Sequence, residues 1–218
     1  MNLLKNYPSL ADIKDEIFKA CEKWIYCFEN GGKLLICGNG GSASDSLHIV
    51  GELMKDFVKK RKIPQEDIDA IKRNSDNADY ICQNLQVAFP AIALIGSAAL
   101  ETAYSNDRAP DLAFAQQVYG YGKKDDILLA ISTSGNSANV IYAASVAKAK
   151  EMTVIGLTGN DGGKLRKYSD ILLNVPEKET YRIQEYHLPV YHALCLATEI
   201  DYAGCYYGRR KRNKNIER

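Results

Sequence analysis

No apolar run in this chain approaches the ~20 residues that a bilayer-crossing helix needs, so a helical membrane span is excluded. Charge of one sign is not in surplus either. With 28 Lys and Arg against 27 Asp and Glu, no global basic field exists to wrap nucleic acid, and neither nucleic acid nor a membrane is expected as a partner. No CxxC pair is present. The six cysteines (Cys21, Cys27, Cys37, Cys82, Cys195, Cys205) lie far apart, four of them in apolar stretches that read as core, and reduced thiols in a cytoplasm are expected. The opening MNLLKNYPSLADIKDEIFKACEKW mixes acids and bases through its apolar positions and lacks the uninterrupted apolar segment of a signal peptide, so export is not expected. At 218 residues two large domains are excluded, while one sizeable core is within reach. The one uneven stretch is the basic run at 209–218, which reads as a frayed, solvated end and leaves the rest net acidic.

What is present is an alternation of short apolar runs with longer amphipathic segments, the pattern of a parallel sheet covered by helices on both faces. A helix over about Asp12 to Asn30 ends at Gly31-Gly32, where a left-handed cap suits glycine. Strands are expected at 33–37, 91–95, 127–131, 153–157 and 171–175, and helices near 112–119, 137–150, 163–168 and from about Arg182 toward Tyr202. A helix from Ser42 carries Leu47, Val50, Met54 and Phe57 on one stripe. Residues 58–89 are polar and interrupted by Pro64, and read as a peripheral excursion with at least one short helix starting near Pro64.

The turn Gly38-Asn39-Gly40-Gly41-Ser42-Ala43 satisfies the G-x-G-x-x-A form of the dinucleotide fingerprint between a strand and a helix. No second strand ending in an acidic residue follows, so no nucleotide cofactor is expected. What survives is an anion site made of backbone N–H groups and a helix N-terminus. Gly159-Asn160-Asp161-Gly162-Gly163-Lys164 is one residue short of a P-loop and lacks its Ser/Thr. Ile131-Ser132-Thr133-Ser134-Gly135-Asn136-Ser137 is the stronger signal. Its four hydroxyls, between a strand and a helix start, suit a phosphate dianion, whereas a helix cap needs only one of them.

Imidazole chemistry falls on three residues, His48, His187 and His192. His48 and Glu52, at i and i+4, share a helix face as a metal-ligand pair, an acid–base pair or an isolated surface pair would. His187 and His192 are roughly 140° apart on their helix and do not serve one site, so one of them is structural. Gln184 lies roughly 80° from His192 and two turns away, near enough in azimuth to face the same cleft.

Together GNGGSASDSLHIVGEL, STSGNSANVI, VIGLTGNDGGKL and RIQEYHLPVYHALC resemble the sugar-isomerase (SIS) domain of the phosphoheptose isomerases, from about Gly31 to Glu199 apart from the 58–89 excursion. The resemblance implies an α/β fold, a flavodoxin-like, doubly wound five-stranded parallel sheet with helices on both faces. Residues 1–218 would form a single SIS domain, with an N-terminal helix in 1–30. It implies conversion of sedoheptulose 7-phosphate to D-glycero-D-manno-heptose 7-phosphate for surface polysaccharide. Glu52 would be the general base and His192 the general acid, with Ser132, Thr133, Ser134 and Ser137 as the phosphate cradle. Asn39, Gly40, Gly41, Ser42, Gln184 and Asp107, from the Ser105-Asn106-Asp107 turn, would contact the substrate. Some family members hold zinc, and the matching ligands here are His48, Glu52, Gln184 and His192. A homotetramer with sites between subunits is also implied, which suits the ten residues, about 15 Å of helix, that separate Ser42 from Glu52.

Two positions depart from the family. Asp56 stands where many members have an arginine four residues after the base, and Tyr181 where they have an aspartate three before the glutamine. The rival readings are a non-catalytic SIS tetramer, binding a replication-initiator protein or sensing a sugar phosphate, and an SIS lyase. An adaptor has no need of a titratable group at position 192, and a lyase has no evident use for the His48, Gln184 and His192 set.

Overall fold

The strand β1 (Leu34–Cys37) is buried along its whole length, as is β3 (Ile127–Ser132), and such runs suit only strands covered on both faces. The computed structural model describes residues 3–213, with side chains as far as 200. Among the described residues these strands join β2 (Ala91–Ala93), β4 (Thr153–Thr158) and β5 (Ile171–Asn174) in one all-parallel sheet, ordered β2-β1-β3-β4-β5. This is a doubly wound order, and the strand order reverses between β1 and β3.

Alternate strand residues divide the core into two layers. On one face Leu34, Ile36, Leu129 and Ile131 pack with α2 (Lys14–Glu29), α3 (Gly41–Met54) and the start of α9 (Thr180–Asn213). The short α1 (Leu3–Asn6) and the 3-10 turn Pro8–Ile13 lie beside them. On the other face Leu35, Cys37, Leu128 and Ala130 meet α7 (Ala113–Tyr121) and α8 (Ala138–Ala149). Gly31, at φ +75°, follows the end of α2 as the sequence implied. Cys21, Cys27, Cys37 and Cys195 are buried free thiols, and burial pushes both Cys27 and Cys37 up to about 12, so they stay protonated. Cys205 and the basic run 209–218 lie outside the described side chains.

Several sequence expectations need correction. The helix α6 (Ala98–Asp107) was not anticipated; it buries no side chain and therefore leaves no apolar period to read, and it places Asp107 at a helix end rather than in a turn. The segment expected as a helix at 163–168 is a 3-10 turn, Gly163–Lys167. Val50 and Phe57 of the stripe expected here pack against the core, but Leu47 and Met54 lie on the far side of α3. The buried residues of α3 are Ser42, Ser46, Ile49 and Leu53, while Leu47 and Met54 are 56% and 47% exposed. Small serines let the helix lie close on the sheet, the Ser46 hydroxyl being satisfied by the Ser42 carbonyl at 2.8 Å.

The 58–89 excursion is peripheral only in its middle, where α4 (Gln65–Asn74) and α5 (Ala78–Asn84) pack on each other. Its root is pinned in the core. Arg61 is buried with its guanidinium over the Phe89 ring at 4.4 Å, donates to the carbonyls of Leu53 and Lys55, and lies 3.8 Å from Glu199. Glu199, on α9, accepts the backbone N–H groups of Phe57, Val58 and Lys59 at 3.0, 2.8 and 3.0 Å. A carboxylate holding three amides fixes the chain leaving α3, a role that no local sequence pattern announces.

Candidate active site

At the point where the strand order reverses, the turn after β1 and the loop after β3 face each other. They are tied by reciprocal amide hydrogen bonds between Asn39 and Asn139, both 2.9 Å. Crevices of this kind, beyond the carboxyl ends of parallel strands, are where such sheets take ligands. Ser132 is buried, and its hydroxyl lies 3.0 Å from that of Ser137. Ser137 occupies the N-cap position of α8 yet makes no side-chain cap bond, so helix capping does not account for the hydroxyl cluster. The Ser134 hydroxyl accepts the Asn136 N–H at 3.2 Å, shaping the loop.

The segment set aside as a defective P-loop proves to be the buttress of this loop. Gly159 N–H donates to Thr133 O, Leu165 N–H to Gly135 O and Lys164 N–H to Asn136 Oδ1. Gly135 has φ +64°, and a Cβ there would stand 2.1 Å from the Gly162 carbonyl oxygen. Replacing Gly135 by Ala should cost roughly 2–5 kcal/mol, from left-handed strain and backbone overlap together, and weaken binding of inorganic phosphate. Urea unfolding and a phosphate titration of the variant check both expectations.

A second cluster lies farther along α3, where α9 runs beside it in the same direction. Gln184 is turned to the glycine turn, its Nε2 2.4 Å from where a Gly41 Cβ would stand. Two turns on, His192 Nε2 lies 3.5 Å from His48 Nε2, which in turn lies 3.0 Å from Glu52 Oε1. The other side of His48 meets the Tyr191 hydroxyl, Nδ1 to oxygen 3.0 Å, and that hydroxyl donates to Asp45 Oδ1 at 3.2 Å. The His192 ring is boxed by His48, Phe57 and Tyr191, with centroids 5.1, 5.3 and 5.1 Å away. Burial, and secondarily His48, lowers the His192 imidazole below its ordinary value, against the pull of Glu52, so the ring is neutral at pH 7.

His48, Glu52 and His192 each offer a ligand atom within 4.8 Å of the others, a group that can hold a metal ion. The 3.0 and 3.5 Å separations bracket the roughly 3.3 Å between two nitrogens that lie about 2.0–2.1 Å from a tetrahedral ion. The donor set therefore fits.

The remaining sequence candidates fall unevenly. Ser42 is buried on the sheet-facing side of α3, and Asp107 is exposed on α6, where it accepts from Asn106. Asp56 accepts from Gln86 of the excursion at 2.8 Å, and Tyr181 is exposed beside Arg182. Asp45, Tyr191 and Phe57 were missed. The i, i+3 spacing of Asp45 and His48 was a usable signal for the first, but nothing local marks the others.

His187 is the structural histidine. It is fully buried, and the Thr158 backbone lies near it without meeting hydrogen-bond geometry. Burial lowers its imidazole to about 4. Because the unfolded chain binds the proton nearer 6.5, the stability from neutral His187 is complete above that pH and lost as pH falls through 4. The linkage amounts to about 3 kcal/mol. Urea melts of the wild type and His187→Leu between pH 7 and 4 should show the wild type losing more stability by about that amount.

Comparison with known proteins now bears on this geometry. Residues 81–159 match the SIS domain family model. A phosphoheptose isomerase of Shewanella baltica is 39% identical over 186 residues, 84% of this chain and 82% of that protein. Another, of Neisseria gonorrhoeae, is 41% identical over 180 residues, covering 81% of this chain and 79% of that one. The chain belongs to the phosphoheptose isomerase family. A solved phosphoheptose isomerase from Francisella tularensis has the same fold, with a TM-score of 0.73 and 35% identity over 88% of this chain and 90% of that one. Membership puts the chain among the phosphosugar isomerases of the SIS type, and no helix among its described residues is long and apolar enough to cross a membrane.

Proposed function

We propose that this member of the phosphoheptose isomerase family converts sedoheptulose 7-phosphate to D-glycero-D-manno-heptose 7-phosphate through an enediol(ate). The reaction would take place in the cytoplasm and supply heptose for surface polysaccharide. The observation that carries the reading is the meeting of a carboxylate and a neutral imidazole, Glu52 and His192, on either side of His48. Moving a hydrogen from C1 to C2 needs a base that takes a carbon-bound proton and a donor for the oxygen that gains charge. Glu52 takes the C1 proton and returns it at C2. His192, kept neutral by burial, donates its N–H to O2 as the carbonyl becomes a hydroxyl, and its ring takes back the proton that O1 gives up as the aldehyde forms, so that it ends neutral.

The phosphate sits between Asn39-Gly40-Gly41 and the hydroxyls of Ser132, Thr133, Ser134 and Ser137, with Ser42, Gln184 and Asp107 toward the sugar. Zinc, when bound, would be held by His48, Glu52 and His192 and would polarise the substrate carbonyl as a Lewis acid in place of the His192 N–H, while Gln184, about 12 Å back along α9 beside Gly41, lies outside that group. The whole chain acts as one SIS unit and assembles as a tetramer with sites shared between subunits. The outward Leu47 and Met54 beside His48 support this, because an apolar flank at an open site is what a second subunit would cover.

Turnover of sedoheptulose 7-phosphate, compared with fructose 6-phosphate, tests the substrate; a preference for the six-carbon sugar would overturn that choice. Mixing inactive Glu52→Gln and His192→Ala subunits tests the sharing. Activity should return in mixed oligomers, and its complete absence would leave each site within one subunit.

A further inference from the structure

The hydrogen bonds behind His48 assign a role to Tyr191 that the reaction itself does not require. Tyr191 is buried, and its hydroxyl stands between Asp45 Oδ1 at 3.2 Å and His48 Nδ1 at 3.0 Å. A phenol has one proton to give. Asp45 is half-buried, its Oδ2 is buried without a partner, and among the described residues Tyr191 is the side-chain donor recorded for it. An ionised carboxylate is a stronger acceptor than a neutral imidazole, and turning the phenol away would strand it. The phenol proton therefore belongs to Asp45, and the remaining contact is satisfied only when His48 carries hydrogen on Nδ1 and donates it to the phenol oxygen.

The consequence appears on the other edge of the ring. With hydrogen on Nδ1, a neutral His48 has a bare lone pair at Nε2, aimed at Glu52 Oε1 3.0 Å away and beside His192 Nε2 at 3.5 Å. The His48 lone pair and the Glu52 carboxylate then face each other with no hydrogen between them, an arrangement that a cation resolves. We propose that Tyr191, anchored by Asp45, is a positioning residue that fixes His48 with its hydrogen on Nδ1 and so presents Nε2 to a divalent cation shared with Glu52 and His192. This rests on the metal reading given above. It adds the partner that sets the ligand's tautomer, as outer hydrogen bonds do for metal-bound histidines generally.

Two measurements separate the claims. In long-range proton–nitrogen correlation spectra of metal-free, histidine-labelled protein, His48 Nδ1 should keep its hydrogen from neutral pH up to about 9. In Tyr191→Phe the hydrogen should move to Nε2, where Glu52 accepts it. Asp45→Asn, which keeps the shape and removes the charge, should shift it the same way and serves if the phenylalanine variant folds poorly. In competition with a chromophoric chelator, wild-type protein should bind Zn²⁺ or Co²⁺ about 10–100-fold more tightly than either variant. A bare Nδ1 in the wild type, or variants with unchanged tautomer and ion affinity, overturns the role of Tyr191. A wild type that binds neither ion overturns the metal reading instead, and the spectra then judge the tautomer alone.

Discussion

Glu52→Gln is expected to lower kcat for the isomerisation by about 10²–10⁴-fold while leaving KM within a few-fold of the wild type. The asymmetry follows from distance. The carboxylate acts on a carbon-bound proton near His48 and His192, whereas ground-state binding comes largely from the serine loop and the glycine turn, about 15 Å away along α3. The amide is close in shape to the carboxylate and can still pair with His48, so the loss is one of basicity and not of packing. Steady-state kinetics with sedoheptulose 7-phosphate, beside a phosphate-binding titration, distinguish the two. A rise in KM at unchanged kcat would make Glu52 a binding residue and remove it from the proton transfer.

The second large effect lies away from the chemistry. Glu199→Ala should destabilise the protein by about 3–5 kcal/mol, because it removes the acceptor of three backbone amides and leaves the buried Arg61 without its carboxylate. For a chain of this length that corresponds to a fall in Tm of roughly 10 °C. Activity should fall as well in the protein that remains folded. Glu199 holds the backbone of Phe57, whose ring rests 5.3 Å from that of His192, so the loosened segment frees the imidazole to rotate out of line. Glu199→Gln should lose less on both counts, since its carbonyl oxygen still accepts. Thermal melts and kcat measured on the three proteins check the order.

The parts of the fold with strong period and turn chemistry were legible in the sequence. The five strands, the Gly31 cap, the long last helix and the serine loop all carry local signals, and each strand starts within one residue of its expected position. What escaped was information carried only by tertiary contact. The face of α3 was read from its larger apolar residues, but Ser42 and Ser46 pack against the sheet and leave Leu47 and Met54 outside. The excursion reads as peripheral because its own helices are polar, while its root is fixed by Arg61, Phe89 and Glu199, which are up to 138 positions apart in the sequence. The i, i+4 spacing found His48 and Glu52, and helical azimuth excluded a shared site for His187 and His192. The Asp45–Tyr191 support for His48 spans two helices and has no sequence period to reveal it.

The central claim is proton transfer between adjacent carbons of a bound sugar phosphate by Glu52, assisted by His192. Incubating the protein with sedoheptulose 7-phosphate in deuterium oxide and following the sugar by NMR tests it directly. Aldose phosphate should form with deuterium at C2, exchange should also reach C1 of the remaining ketose, and both should vanish in Glu52→Gln. Aldose formed by the wild type with no loss of label in the mutant, or a wild type that binds the sugar and exchanges nothing, would contradict the assignment.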